Sequence, residues 1–418
     1  MKIAIIQFPG SNCERESVLA VKRAGMGSFE FLWNMPSENL INCDGYFIVG
    51  GFSYEDRSRA GIIASLDPVI KVLRQESEKG KPVLGICNGA QILIETGLVP
   101  GFKNNNLGMA LAANEKKKKG ALIGTGFYNG WVNIIPSTES DKSAFTSQLK
   151  QNEIMRIPVA HAEGRFVTSP SIMKILKDNH LDTFRYCTTK GELNLDFPVN
   201  PNGSIENLAA VSNSGGNVMA MMPHPERSTS GDPVFSSMRE YISKLKKISI
   251  PKLDYQDTVQ IEKFNSDENS NELLIELIIT DNEAVSVENA LRQMDLSVRV
   301  KRYTHWEIIS NSSYSNSSLE KIERSGELFN SNKEMVVNYK HNSNTLAFLV
   351  RDKDNASGKR KKDILKHWFH AKNIKSIESG ILWDITVEKG DVVSVIEEVL
   401  NTHILYNPYS HDCLHYEK

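Results

Sequence analysis

The chain has 418 residues, 40% of them apolar and 24% charged, enough for a sizeable core and for two or three domains rather than one. Its 49 basic and 51 acidic side chains leave a formal net charge of −2, which gives no global field for nucleic acid or a membrane surface. The five cysteines lack C-x-x-C spacing and suggest neither a zinc site nor a disulfide framework; they fit a reducing cytoplasm, and no apolar run is long enough to span a bilayer.

The first residues run directly into a strand, Ile3-Ala4-Ile5-Ile6, without a leader pattern. That strand ends in the turn Pro9-Gly10-Ser11-Asn12, and Val18, Leu19, Val21 and Ala24 mark a helical face closed by Gly25. Phe29 to Trp33 is a second strand. Tyr46 to Val49 is a third, leading into Gly50-Gly51-Phe52-Ser53-Tyr54, and Leu66, Val69, Ile70 and Leu73 mark a helix that Gly80 stops. This βαβ alternation predicts a parallel sheet, with ligands beyond the carboxyl ends of its strands.

The next strand runs into Gly85-Ile86-Cys87-Asn88-Gly89 and restarts as an apolar helix. Two glycines flanking one cysteine are what a sharp strand-to-helix turn needs, and the turn lifts the thiol into the open at a helix N-terminus, where thiolate is favoured. A plain core cysteine is the competing reading.

From Gly101 to Gly130 the pattern weakens into Asn104-Asn105-Asn106 and a run from Lys116 to Lys119, most simply a solvated loop. Strands return at 131–135, 154–160, 208–212 and 217–222, the last running into Pro223-His224-Pro225-Glu226-Arg227. His224 and Glu226, two apart with Pro225 holding the backbone extended, face one side. Joined to Cys87 they make a triad: His224 takes the thiol proton and Glu226 orients the imidazole. An exposed His-Pro-Glu turn is the alternative.

With both pieces in view, residues 1 to 248 resemble the class I (triad) glutamine amidotransferases, of flavodoxin-like α/β fold, and among them the glutaminase subunits of phosphoribosylformylglycinamidine synthase. The matching segments are Pro9 to Cys13, Gly50 to Tyr54, Gly85 to Leu93, Pro158-Val159-Ala160-His161-x-Glu163-Gly164, Asn200 to Ser204 and Met222 to Arg227. Glu55 stands where that family has glycine, and 107–130 is longer than in its compact members. The resemblance implies that Cys87 attacks the side-chain amide of glutamine and that His224 protonates the leaving ammonia. It assigns the oxyanion donors to Gly51 or Phe52 and to Asn88. Gln91, Ser53 and His161 fall where glutamine is bound, although Gln91 also suits a helix surface and His161 a structural role.

Residues 249–271 read as a linker, ending in Ser-Asp-Glu-Asn-Ser-Asn. The remainder reads as two copies of a βαββαβ α+β module, 272–343 and 344–418, in which 298–309 and 374–387 are each a strand pair and Trp306-Glu307-Ile308 corresponds to Trp383-Asp384-Ile385. Such a module buries one sheet face, so the copies are expected to pair over the other. The second copy resembles the synthase's small accessory subunit, which implies a covalent mimic of its dimer; an unrelated module of this fold is the alternative. His411, Cys413 and His415 alternate along one strand like metal ligands, but nothing else supports a metal.

The expectation is therefore a cytoplasmic glutaminase that passes ammonia to a separate large ATP-dependent subunit of phosphoribosylformylglycinamidine synthase. With no G-x-x-x-x-G-K-[ST] loop in this chain, no cofactor is expected here, and ATP and Mg are expected on that partner. A subunit of another synthetase, a stand-alone cysteine hydrolase or peptidase, and a non-enzymatic scaffold are the alternatives.

Overall fold

The structure, a computed structural model, describes residues 1–137, 141–150, 152–244, 250–255, 260–311, 316–340, 342, 344–371 and 373–417, with backbone alone for 316–319. The chain forms two units, Met1–Asp257 and Thr258–Lys418. The expected boundaries at 248 and 343 lie outside the described residues.

The first unit begins with β1 (Lys2–Gln7), α1 (Glu14–Arg23), β2 (Gly27–Leu32), β3 (Gly45–Ile48), α2 (Ile62–Ser65), α3 (Val69–Glu78), β4 (Val83–Ile86) and α4 (Asn88–Glu95). The single helix expected around Leu66 is two, parted just before Pro68, whose ring disfavours helical geometry at the residue ahead of it. Then come β5 (Ala110–Ala113), the hairpin β6 (Glu115–Lys118) and β7 (Ala121–Thr125), β8 (Tyr128–Pro136), β9 (Met155–His161) and β10 (Glu163–Val167). The unit closes with α5 (Pro170–Asp178), β11 (Phe184–Cys187), β12 (Leu208–Ser212), β13 (Val218–Met221) and α6 (Asp232–Lys244).

Nine of these strands form one sheet in the order β2-β1-β3-β4-β13-β12-β11-β8-β9. The first five are parallel, with the 2-1-3-4-5 connectivity of a flavodoxin-like fold if β13 counts as the fifth strand. The other four extend the sheet antiparallel. Right-handed crossovers place α1 on one face, where α6 joins it, and α2 to α4 on the other. Covered on both sides, β1 buries Ile3 to Ile6 completely, which is why it reads as an unbroken apolar run.

The stretch expected to be a linker carries structure. Phe102 bridges Leu253 and its ring lies tilted, 5.0 Å from that of Tyr255, which ties 250–255 to the first unit. Further on, β14 (Glu262–Lys263) pairs with the last strand of the second unit. Apolar residues spaced through a polar stretch, Leu253 and Phe264 among them, provide these anchors.

The second unit continues with β15 (Ser270–Leu277), α7 (Asn282–Gln293), β16 (Val298–Ser310), α8 (Asn316–Arg324) and β17 (Glu334–Val337). The pattern then repeats in β18 (Thr345–Asp352), α9 (Ala356–Trp368), β19 (Ile374–Val387), α10 (Val392–Asn401) and β20 (His411–Tyr416). The expected strand pairs are single strands of 13 and 14 residues. The copies do not stack face to face either. β16 and β19 run antiparallel along their whole length, making one seven-stranded sheet in the order β14-β20-β18-β19-β16-β15-β17. Trp306 lies opposite Ser379 and Trp383 opposite Arg302, so a local twofold passes through the pair Thr304 and Ile381.

On one face Trp306 packs with Leu273, Ile275, Ile308, Ile322, Leu365 and Ile377, and its indole Nε1 donates to the Leu328 carbonyl at 2.9 Å. Trp306→Ala is expected to cost about 3–5 kcal/mol, the usual range for emptying an aromatic core position. Denaturant-dependent hydrogen exchange should show the loss in amides of β15, β16 and β19 and leave those of β1 and β4 unchanged.

Candidate active site

The turn from β4 into α4 depends on close backbone contacts. A Cβ on Gly85 would lie 2.4 Å from the Gly89 carbonyl oxygen, and one on Gly89 would lie 2.1 Å from that of Ile48. Only glycine lets α4 settle this close to β3. Between them Cys87 takes φ 53°, ψ −109°, a conformation that side-chain-bearing residues adopt at a cost of about 1–3 kcal/mol. The thiol is less open than the sequence implies: Cys87 is 7% exposed, with Sγ 3.8 Å from the Ala160 carbonyl oxygen on β9. β9 supplies that cover; the sequence shows it as a strand but not that it lies against the Cys87 turn.

His224 and Glu226 are fully buried, with Nδ1 2.5 Å from Oε1. The backbone between them is a 3₁₀ turn, Pro225–Arg227, and not an extended segment; the fixed φ of Pro225 suits the first position of that turn. The turn is pinned by the His224 N–H, which donates to the Pro158 carbonyl on β9 at 2.8 Å. A side chain at Gly50 would begin 3.2 Å from His224 Cε1, 3.4 Å from Cys87 Cβ and 3.0 Å from Cys13 Sγ, so three reactive side chains converge on one bare glycine. Burial works against charge on His224, but the Glu226 carboxylate and Cys87 beside it outweigh burial and raise its pKa to about 10.

Cys13 and Arg227 lie in two of the matching segments, and neither has a role legible in the sequence. Arg227 donates to Cys13 Sγ at 2.9 Å and its Nε lies 3.8 Å from Glu226 Oε1, which places a cation behind the carboxylate. Burial pushes the Cys13 thiol up to about 12, so it stays protonated. Cys13, His224 and Glu226 are the one group among the described residues with metal-ligand spacing, and the Arg227 guanidinium against the sulfur disfavours a cation there. His411, Cys413 and His415 form no such group: His411 pairs with Asp352 and His415 with Glu417.

The Phe52 N–H donates to the Gly10 carbonyl at 2.9 Å, so of the two candidates in that loop Gly51 is the one whose N–H is not spent on this contact. The Asn88 N–H opens α4, where no preceding turn supplies a carbonyl. Asn88 also braces the loop: its Oδ1 accepts from Ser53 N at 3.0 Å, and its Nδ2 donates to Gln91 Oε1 at 2.9 Å. Gln91 in turn donates to the Glu163 carbonyl at 2.7 Å and is not at a helix surface. Ser53 is buried and its Oγ has no partner. His161 is buried at the end of β9; burial and the neighbouring His224 lower its pKa to about 3, and its Nε2 has no partner. Glu55 sits at φ 58°, ψ 27°, the left-handed region that a glycine would occupy without strain.

The profile of the CobB/CobQ-like glutamine amidotransferase domain matches residues 1–243. The chain belongs to this family. The phosphoribosylformylglycinamidine synthase subunit PurQ of Methanothrix thermoacetophila is 44% identical over 262 residues, covering 58% of this chain and 99% of that protein. The subunit of the same name from Methanocaldococcus jannaschii is 41% identical over 252 residues, covering 59% of this chain and 100% of the relative. Among solved structures, PurLQS from Thermotoga maritima is 30% identical, covers 58% of this chain and 98% of that chain, and has a TM-score of 0.45. No helix among the described residues is long and apolar enough to cross a membrane.

Gly89→Ala should force α4 off β3 at a cost of about 1–3 kcal/mol and displace Cys87, measurable as a lower unfolding midpoint together with slower alkylation of that thiol. Because the folded state raises the His224 pKa above its ordinary 6.5, the stability this provides is complete below pH 6.5 and is lost as pH climbs towards 10. Glu226→Gln removes the main support, so the fall in urea midpoint between pH 6.5 and 10 should be shallower in the variant than in the parent.

Proposed function

We propose that this chain is the glutaminase component of phosphoribosylformylglycinamidine synthase and works through Cys87, His224 and Glu226. The observation that carries the reading is the 44% identity running over 99% of a PurQ subunit, in a chain where Cys87 and the His224 ring flank Gly50 and Glu226 Oε1 holds His224 Nδ1. Cys87 has already given its proton to His224, and its Sγ attacks the carboxamide carbon of glutamine. The oxyanion so formed accepts from the N–H groups of Gly51 and Asn88. His224, held by Glu226 Oε1, returns the proton to the nitrogen, the C–N bond breaks and ammonia leaves. Water, deprotonated by His224, then cleaves the γ-glutamyl thioester and frees glutamate and Cys87.

The partner in this reading is the large synthetase subunit, which binds ATP and Mg and activates the acceptor that captures the ammonia. The second unit stands in for the small accessory subunit, its two copies covalently joined; their twofold register and shared Trp306 and Trp383 positions support this. Five unpaired thiols suit a cytoplasmic setting.

The test is ammonia release from glutamine by the full chain, with and without candidate synthetase subunits. Stimulation by the purine-pathway synthetase alone is expected. Cys87→Ala should abolish release, by roughly a thousandfold or more, and leave binding to the synthetase intact. Turnover of peptides or esters without any partner would identify a stand-alone hydrolase instead.

A further inference from the structure

We propose that Asn114 is a positioning residue that holds His161 with its proton on Nδ1, so that the bare Nε2 accepts an N–H of the bound glutamine. The inference rests on the glutaminase reading above. Asn114 is fully buried just after β5. Three backbone groups fix which way its amide points. Nδ2 donates to the carbonyls of His161 at 2.7 Å and Gly126 at 3.2 Å, which only accept, and Oδ1 takes the Gly164 N–H at 3.1 Å, which only donates. His161 Nδ1 lies 3.1 Å from that same Oδ1 and must be the donor. The ring lies against Gly164, where a Cβ would come within 2.3 to 2.8 Å of its atoms. Burial and the charge on His224 keep the ring neutral, which leaves Nε2 an acceptor.

That acceptor is buried without a donor, a costly arrangement unless a ligand fills it. It also lies in the nucleophile's own chamber, since His161 follows Ala160, whose carbonyl faces the Cys87 thiol. Glutamine offers two N–H donors, its carboxamide and its α-ammonium.

Nitrogen-15 NMR of the full chain labelled at histidine, with His161→Asn for assignment, reads the tautomer directly. A protonated Nδ1 and a pyridine-like Nε2 are expected at pH 7, and glutamine added to Cys87→Ala should shift the Nε2 signal. A protonated Nε2 overturns the proposal, even in a fully active enzyme. Asn114→Asp keeps the shape but sets a carboxylate against Nδ1–H and draws a second proton onto Nε2. KM for glutamine should then rise roughly tenfold or more at pH 6, recover as pH rises, and change more than kcat, the size expected for losing one buried hydrogen bond. An equal, pH-independent loss in kcat and KM would mean a merely structural role and overturns it. The γ-methyl ester of glutamate keeps the α-ammonium and lacks the carboxamide N–H. An equal KM rise with the ester assigns the α-ammonium as donor, and a rise with glutamine alone assigns the carboxamide. An inactive enzyme whose His161 still shows the Nδ1 proton supports the tautomer and counts against the glutaminase reading alone.

Discussion

The contact on which the first unit depends is the approach of one backbone to another, where Gly89 of α4 meets the carbonyl of Ile48 on β3. With the helix that close, the residue before it is driven into a left-handed conformation, and that residue is Cys87. The same approach brings Asn88 within reach of the loop from Gly50 to Ser53. The Cys87 thiol, the loop from Gly50 to Ser53 and the helix N-terminus are therefore placed by one packing event. The strain at Cys87 is local, while the apolar burial that offsets it runs through the sheet from Ile3 to Met221.

Two histidines share this chamber in opposite states. Both are buried to the same degree, so desolvation pushes both towards neutrality. The neighbours decide the outcome. His224 has a carboxylate at 2.5 Å and a thiol beside it, whereas His161 has a neutral amide and, nearby, the charged ring of His224. Once His224 carries a proton, His161 is held without one, so one chamber contains a charged and an uncharged imidazole.

Much of this was legible in the amino-acid order. Gly85, Cys87 and Gly89 announce a turn whatever surrounds them, and the apolar runs at Ile3 and Tyr46 announce buried parallel strands. His224 and Glu226 were legible as a pair although the backbone between them is a turn, because Pro225 restricts both conformations. The contacts that close the site were not legible: Asn114 reaches His161 across 47 positions, and Arg227 reaches Cys13 across 214. Local pattern carries no record of such partners. The hairpin β6–β7 read as a loop because its first strand, Glu115 to Lys118, alternates no apolar face. In the second unit the missing sign was a turn: Val298 to Ser310 has no glycine, proline, asparagine or aspartate, and it stays one strand.

That long strand and its counterpart have a further meaning. Two identical subunits around a twofold must present the same residues on both sides, and a ligand can seat on such a pair either way round. Here the halves are written separately and differ. His305, one before Trp306, answers to Leu382, one before Trp383, and only the first joins Glu272 and Arg351 in a buried polar network. The sheet has the geometry of a symmetric pair without its equivalence, so whatever engages it meets a left side and a right side, in a fixed ratio of one such pair to each glutaminase.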